Sequence, residues 1–148
     1  MKLAVVAAGA WGTALAIALS GRHQVTLWAR DSALARDMQA CRENRRFLPG
    51  FPLPESLRIS HDLSTVLDGT DLSIVATPLS GLRATVRQVR ESGPLRALIW
   101  VCKGFEPGSG KLPHQVVEEE LGGAVPCGVL TGPSFAEEVA QGLPTAAT

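Results

Sequence analysis

The stretch VVAAGAWGTALA, residues 5–16, sets Gly9 and Gly12 three apart directly after a β-branched run. In a phosphate-binding turn such glycines have separate tasks. One lets backbone approach a pyrophosphate, the next lets the following helix pack closely on its strand, and the helix start offers unpaired N–H groups to an anion. Ala7 stands where a leading glycine would ease the tight turn. A single methyl is tolerable there at negative φ, the usual state of a strand-end residue, so the expected effect is a weakened site and not an abolished one. The spacing alone also describes an ordinary strand-to-helix turn.

Arg30 and Asp31 follow eighteen and nineteen residues past Gly12. At about that remove a carboxylate bonds the ribose 2′-hydroxyl of NAD, whereas an arginine accommodates the 2′-phosphate of NADP. Arg30 comes first, so NADP is expected to be accepted, with NAD as the alternative. The plainer reading leaves Arg30 solvated and makes Asp31 the cap of the next helix. Lys103 closes the apolar run ALIWVCK, where a cation is costly to bury unless it meets an anion or a carbonyl; snorkelling to solvent is the other reading. In GPSFAEEVA, Ser134 and Glu137 have the S-x-x-E spacing of a capping box, with Gly132 and Pro133 fixing the approach.

These residues need elements to position them. Residues 2–7, 24–28, 57–60, 72–77, 97–103 and 126–132 read as strands. Helices are expected over 13–21, 31–45, 62–68, 79–91, 114–121 and 135–141, with AGAWG as a turn and FLPGFPLPES as a loop. Alternation of this kind specifies a doubly wound, mostly parallel α/β sheet of the Rossmann type, which binds ligands at the carboxyl ends of its strands. Trp28 and Trp100 fall in strands and read as core. Trp11 sits at the mouth of the turn. Glu118, Glu119 and Glu120 read as a solvated helix face, and the arginines of NRRF as surface, with phosphate binding as the other reading. GLPTAAT reads as the start of a further strand cut in mid-element.

Composition narrows the class. A chain of 148 residues makes one domain and buries about two-thirds of its unfolded surface, and 45% hydrophobic content suits a globular core. Fourteen basic residues balance fourteen acidic ones, which gives no net field for nucleic acid. Leu3 to Gly21 carries no charge, yet its strand-turn-helix pattern argues against a signal peptide or membrane span. The cysteines, Cys41, Cys102 and Cys127, are scattered and read as reduced thiols of a cytoplasmic protein. His23, His61 and His114 lack metal-ligand spacing, so no metal is expected.

The blocks GAWGTALA, VTLWARD, NRRFLPG, VCKGFEPGSGKL, EELG and LTGPSFAEEVAQGLPTA run in order over essentially the whole chain. Together they resemble the bacterial NAD(P)-dependent glycerol-3-phosphate dehydrogenases. The resemblance implies reduction of dihydroxyacetone phosphate to sn-glycerol 3-phosphate in phospholipid synthesis. Beside the Gly9 and Gly12 of the turn, it implies cofactor contacts at Ala10, Trp11, Arg30, Lys103 and Ala136, and contacts to the small phosphorylated substrate at Lys103, Gly132 and Ser134. Ala10 departs from the family's commoner serine and Ala7 from its glycine. The family's acid/base lysine belongs to a helical C-terminal domain, so the expectation for residues 1–148 is an N-terminal cofactor domain with no catalytic residue of its own, homodimeric within the full-length enzyme. Two rival functions remain open: a nucleotide-sensing module without catalysis, and another two-domain dehydrogenase acting on hydroxy or sugar acids.

Overall fold

Strand β1 (Lys2–Val6) lies at the centre of a six-stranded parallel sheet in the computed structural model, which describes residues 1–132 and 134–148. Pro133 lies outside the described residues. On one side β1 pairs with β2 (Gln24–Trp28), from Lys2 opposite Gln24 to Val6 opposite Trp28, and β2 pairs in turn with β5 (Arg58–Ser60). On the other side come β6 (Leu72–Val75), β7 (Leu98–Trp100) and β8 (Cys127–Val129), giving the order β5-β2-β1-β6-β7-β8. The winding reverses between β1 and β6, and that reversal opens a crevice beyond Val6 and Val75.

Helices α1 (Ala10–Ser20) and α2 (Ser32–Cys41) cover one face, and α3 (Leu63–Leu67), α4 (Leu79–Ser92) and α5 (Pro113–Leu121) the other. Successive β1 side chains alternate between the two layers. Leu3 and Val5 join Leu15, Ala16 and Met38, while Ala4 and Val6 join Leu82, Val86 and Val117. Both faces are therefore dry, which is why β1 reads as an unbroken apolar run. Trp28 and Trp100 are buried, as their strand positions suggest. No helix among the described residues is long and apolar enough to cross a membrane, and no cluster of His, Cys, Asp and Glu there could hold a metal.

Several elements differ from the sequence reading. Helix α2 stops at Cys41, because Arg42 turns left-handed (φ 52°) and sends its guanidinium to the carbonyls of Pro54 and Leu57. The chain then forms an antiparallel hairpin of β3 (Glu43–Asn44) and β4 (Leu48–Pro52), where a loop was expected. The strand expected to run to Lys103 ends at Trp100, three residues short. The tail 143–148 forms no strand, although Thr131 and Thr148 exchange backbone hydrogen bonds of 3.0 and 2.7 Å.

A further difference concerns the three glutamates. Glu118 is solvated, but Glu120 is only 7% exposed. The apolar stripe Leu79, Leu82, Val86, Val89 turns Arg83, Arg87 and Arg90 of α4 toward α5. There Arg87 donates two bonds to the Glu120 carboxylate (2.8 and 3.1 Å), and Arg90 donates to the Glu120 carbonyl (2.5 Å). Arg83 reaches three carboxylates, bonding Glu106 in bidentate fashion (2.8 and 2.9 Å), Glu119 at 2.8 Å and Glu120 at 3.2 Å. A carboxylate this enclosed is stable only when paired.

Arg83, seconded by the Ser109 hydroxyl, holds the Glu106 carboxyl down to about 2; Arg87 and Arg83 lower Glu120 in the same way, and Lys111 and Arg83 lower Glu119. Carboxylates depressed by folding stabilise the native state above their ordinary value, and that stabilisation is lost as pH falls through the folded value. Thermal melts should therefore be level near neutrality and fall steadily from about pH 4.5 toward about 2. Glu106→Gln should lower the midpoint at neutral pH and flatten that acid decline. An unchanged acid decline in the variant would remove Glu106 from the account.

Candidate functional site

Between β1 and α1 the chain turns within three residues, 7–9. The Ala7 N–H continues the ladder by donating to the Trp28 carbonyl (3.2 Å), while the Ala7 carbonyl swings toward α1. A Cβ on Gly12 would stand 1.9 Å from that oxygen, so only glycine lets helix and turn close together. A Cβ on Gly9 would meet nothing within 4 Å; the space over this residue is open toward the crevice. Helix α1 has no side-chain cap at Gly9, so its first N–H groups point outward without intrahelical partners. The expectation of a negative φ at Ala7 is wrong: φ is +95°, because a tight turn this close to Gly12 demands the conformation a glycine adopts freely.

A residue that the motif reading passed over braces this strained turn. Asn44, wholly buried, donates through Nδ2 to the Ala8 carbonyl (2.9 Å) and the Thr13 hydroxyl (2.8 Å), and its Oδ1 accepts from the Phe47 N–H (3.1 Å). One amide thus ties the turn, helix α1 and the β3–β4 hairpin together. Its only sequence signal is an asparagine ahead of a Pro/Gly-rich segment, which points to a turn and not to a partner thirty-six residues away.

Two neighbouring hollows flank the N-terminal end of α1. A cleft of about 500 Å³ is lined by Ala10, Phe47, Leu48 and residues 135–138, bringing Ala10 and Ala136 together. A tighter cavity of about 170 Å³, apolar except at its rim, gathers Trp11, Leu15, Val101 and Leu130 with Lys103 and Ser134. Lys103 is exposed, with no burial penalty to offset, and its Nζ donates to the Gly132 carbonyl (3.1 Å). Gly132 itself must be glycine, since a Cβ would stand 2.1 Å from the Ala146 carbonyl. Near the reversal of the sheet, the Thr77 hydroxyl is buried without a hydrogen-bond partner among the described residues. Arg30 stands apart, exposed beyond β2, and Asp31 caps α2 by accepting from the Ala33 and Leu34 N–H groups (2.8 and 3.4 Å).

The capping box expected of Ser134 and Glu137 does not form. Helix α6 (Ala136–Ala140) starts one residue later, with Phe135 at its cap and the Glu138 carboxylate accepting the Phe135 N–H at 3.4 Å. The shift leaves Ser134 before the cap, on the wall of the apolar cavity.

The family model described as NAD-dependent glycerol-3-phosphate dehydrogenase N-terminus matches residues 2–148. The chain belongs to this family. It is 56% identical over 146 residues to the glycerol-3-phosphate dehydrogenase [NAD(P)+] of Dechloromonas aromatica, covering 99% of this chain and 44% of that protein. With the Aromatoleum aromaticum protein of the same name it is 55% identical over 148 residues, covering 100% of this chain and 45% of that protein. The crystal structure of glycerol-3-phosphate dehydrogenase from Coxiella burnetii superposes with a TM-score of 0.88 at 38% identity, covering 98% of this chain and 45% of that one. The chain thus spans slightly less than half the length of the relatives it matches.

For a glycerol-3-phosphate dehydrogenase N-terminal domain, the three turn residues make separable predictions. Ala7→Gly should stabilise the chain by about 1 kcal/mol by relieving the positive φ. Asn44→Ala should cost about 2 to 3 kcal/mol by orphaning the Ala8 carbonyl and Thr13 hydroxyl in a buried setting. Gly12→Ala should cost about 3 kcal/mol or more. Urea denaturation read by tryptophan fluorescence orders the three, and a destabilised Ala7→Gly would refute the strain at the turn.

Proposed function

We propose that residues 1–148 form the cofactor-binding half of an NAD(P)-dependent glycerol-3-phosphate dehydrogenase, which reduces dihydroxyacetone phosphate to sn-glycerol 3-phosphate. The observation that carries this reading is the turn: Gly9 open above, Gly12 closed against Ala7, and an uncapped eleven-residue helix behind them, within a chain of this family. A dinucleotide fits what is there. Its pyrophosphate would lie over Gly9 against the N–H groups of Ala10, Trp11 and Gly12, and its adenosine end would reach Arg30. The Thr77 hydroxyl is an orphaned polar atom waiting for a partner in the same crevice.

The bound nicotinamide supplies a hydride for a carbonyl carbon. What the chain adds is position and charge. Lys103, beside the apolar cavity, orients and polarises the substrate carbonyl, with the Gly132 backbone and the Ser134 hydroxyl alongside. Trp11, on the wall of the cavity that Lys103 shares, would border the nicotinamide, and Ala136 faces the neighbouring cleft beside Ala10. Arg83, through Glu106, fixes the loop that follows Lys103. Phe105 and Phe135, 68% and 73% exposed, lie two residues past Lys103 and one past Ser134. An apolar rim of this kind suits a covering second domain, which would bring the proton donor and the grip on the substrate phosphate. The working enzyme on this reading is cytoplasmic and homodimeric.

Calorimetric titration of the 148-residue chain should show saturable binding of NADPH or NADH, while absorbance at the nicotinamide band should show no oxidation with dihydroxyacetone phosphate. Extending the chain with the C-terminal half of the Dechloromonas aromatica relative should restore turnover, and Lys103→Ala in that chimaera should lower kcat/KM about 100-fold. Absence of nucleotide binding refutes the cofactor-domain reading. A chimaera that binds nucleotide and reduces no dihydroxyacetone phosphate favours a sensing module or a dehydrogenase of another substrate.

A further inference from the structure

We infer that Arg46, on the β3–β4 hairpin, is a second cation for the 2′-phosphate of the dinucleotide, and that it sets a preference for NADPH over NADH. The inference rests on the cofactor-binding reading above and adds the residue that discriminates. Arg46 is remote from the glycine turn in sequence, but the fold carries it to the carboxyl end of β2. Asn44, two residues earlier, is bonded to Ala8 and Thr13, so the hairpin is pinned to the same turn that offers the pyrophosphate site. The Phe47 N–H bond to Asn44 Oδ1 fixes the loop on the other side of Arg46.

From there the Arg46 guanidinium reaches Asp31, with Nη1 at 3.6 Å from Oδ2, and lies 5.0 Å from the centroid of the Phe47 ring. Both oxygens of Asp31 are thereby occupied, Oδ1 by the cap of α2 and Oδ2 by Arg46. The carboxylate that would otherwise favour a ribose 2′-hydroxyl is engaged by the helix cap and faces a guanidinium. Arg30 precedes Asp31 in the chain and pairs with no carboxylate among the described residues, so Asp31 is bordered by one guanidinium in sequence and another in space. With Asp31 satisfied, the balance of charge at this corner is positive, and a dianionic phosphate would complete it through charge-assisted, fork-shaped bonds. Both Arg46 and Asp31 are more than half exposed on their side chains, leaving room for a ligand to enter.

Arg45 is the internal control. It is adjacent, equally charged and similarly exposed, but it turns the other way, toward Glu43 at 3.9 Å. Calorimetric titrations of the 148-residue chain with NADPH and with NADH, on wild type, Arg45→Ala, Arg46→Ala and Arg46→Lys, test the assignment. Arg46→Ala should weaken NADPH about tenfold and leave NADH within about twofold, Arg46→Lys should recover part of the loss, and Arg45→Ala should shift neither nucleotide by more than about twofold. Equal weakening of both nucleotides by Arg46→Ala, unchanged NADPH binding, or a matching selective loss in Arg45→Ala overturns the inference while leaving the cofactor domain intact. A wild-type chain that binds neither nucleotide overturns both, and the two failures are told apart by that first titration.

Discussion

The close approach of the Ala7 carbonyl to the α-carbon of Gly12 is the contact on which the rest of this molecule hangs. It lets α1 start only three residues after β1 and lie tightly on the sheet, with Leu15 and Ala16 entering the core beside Val5. It also aims the uncapped end of α1 at the crevice where the winding of the sheet reverses. A side chain at position 12 would push the helix outward and move every group that depends on it. Among those is Thr13, whose hydroxyl accepts from Asn44, and through Asn44 the whole β3–β4 hairpin. The geometry of one glycine therefore reaches as far as the corner where Arg46 meets Asp31.

The parts of the structure legible in the sequence are those with a local cause. The β1 to α1 passage, the parallel order, the buried tryptophans and the Asp31 cap follow from apolar runs, glycine spacing and a carboxylate ahead of a helix. What escaped depends on residues distant in sequence. The φ of Ala7 is set by Gly12 and by the Trp28 carbonyl, not by the preferences of alanine at a strand end. Glu120 belongs to a run that reads as solvated, and only the packing of α4 on α5 shows three arginines converging on it. The hairpin was hidden because its prolines and glycines signal a loop, while Asn44, paired with Leu48 inside it, is held by Ala8 and Thr13 from a distant part of the chain. The expectation of contacts at Ala10 and Ala136 rests on family resemblance, since periodicity and spacing give no ligand signal there.

Charge is arranged unevenly across the fold. On the α3–α4–α5 face, arginines and glutamates pair with one another at the helix junction, and Glu106 carries that network out to the loop after Lys103. The result is structural: fixed charges satisfied internally, with little left for a ligand. On the α1–α2 side, Arg30 and the weakly held Arg46 remain open to solvent. A net charge of zero over the chain thus conceals one face with its charges consumed and one corner with cations to spare.

The same contrast separates the two ends of the crevice by rigidity. At the end nearest Gly9, the turn, α1 and the hairpin are cross-linked by the wholly buried Asn44, which fixes three elements at once. At the Lys103 end, the lysine is exposed and tied by one bond to the Gly132 carbonyl, α6 buries none of its residues, and the tail is joined to Thr131 by a single reciprocal pair. Local stability follows buried contacts, so the first end is preorganised and the second yields at small energetic cost. A dinucleotide bound at the rigid end would keep its adenosine fixed while the reacting end still adjusts. In a two-domain enzyme, the placing of Lys103 and Ser134 would then be completed when the second domain covers Phe105 and Phe135. On the proposed function, proton transfer and substrate grip would be coupled to closure, while recognition of the nucleotide would stay with the half that is already rigid.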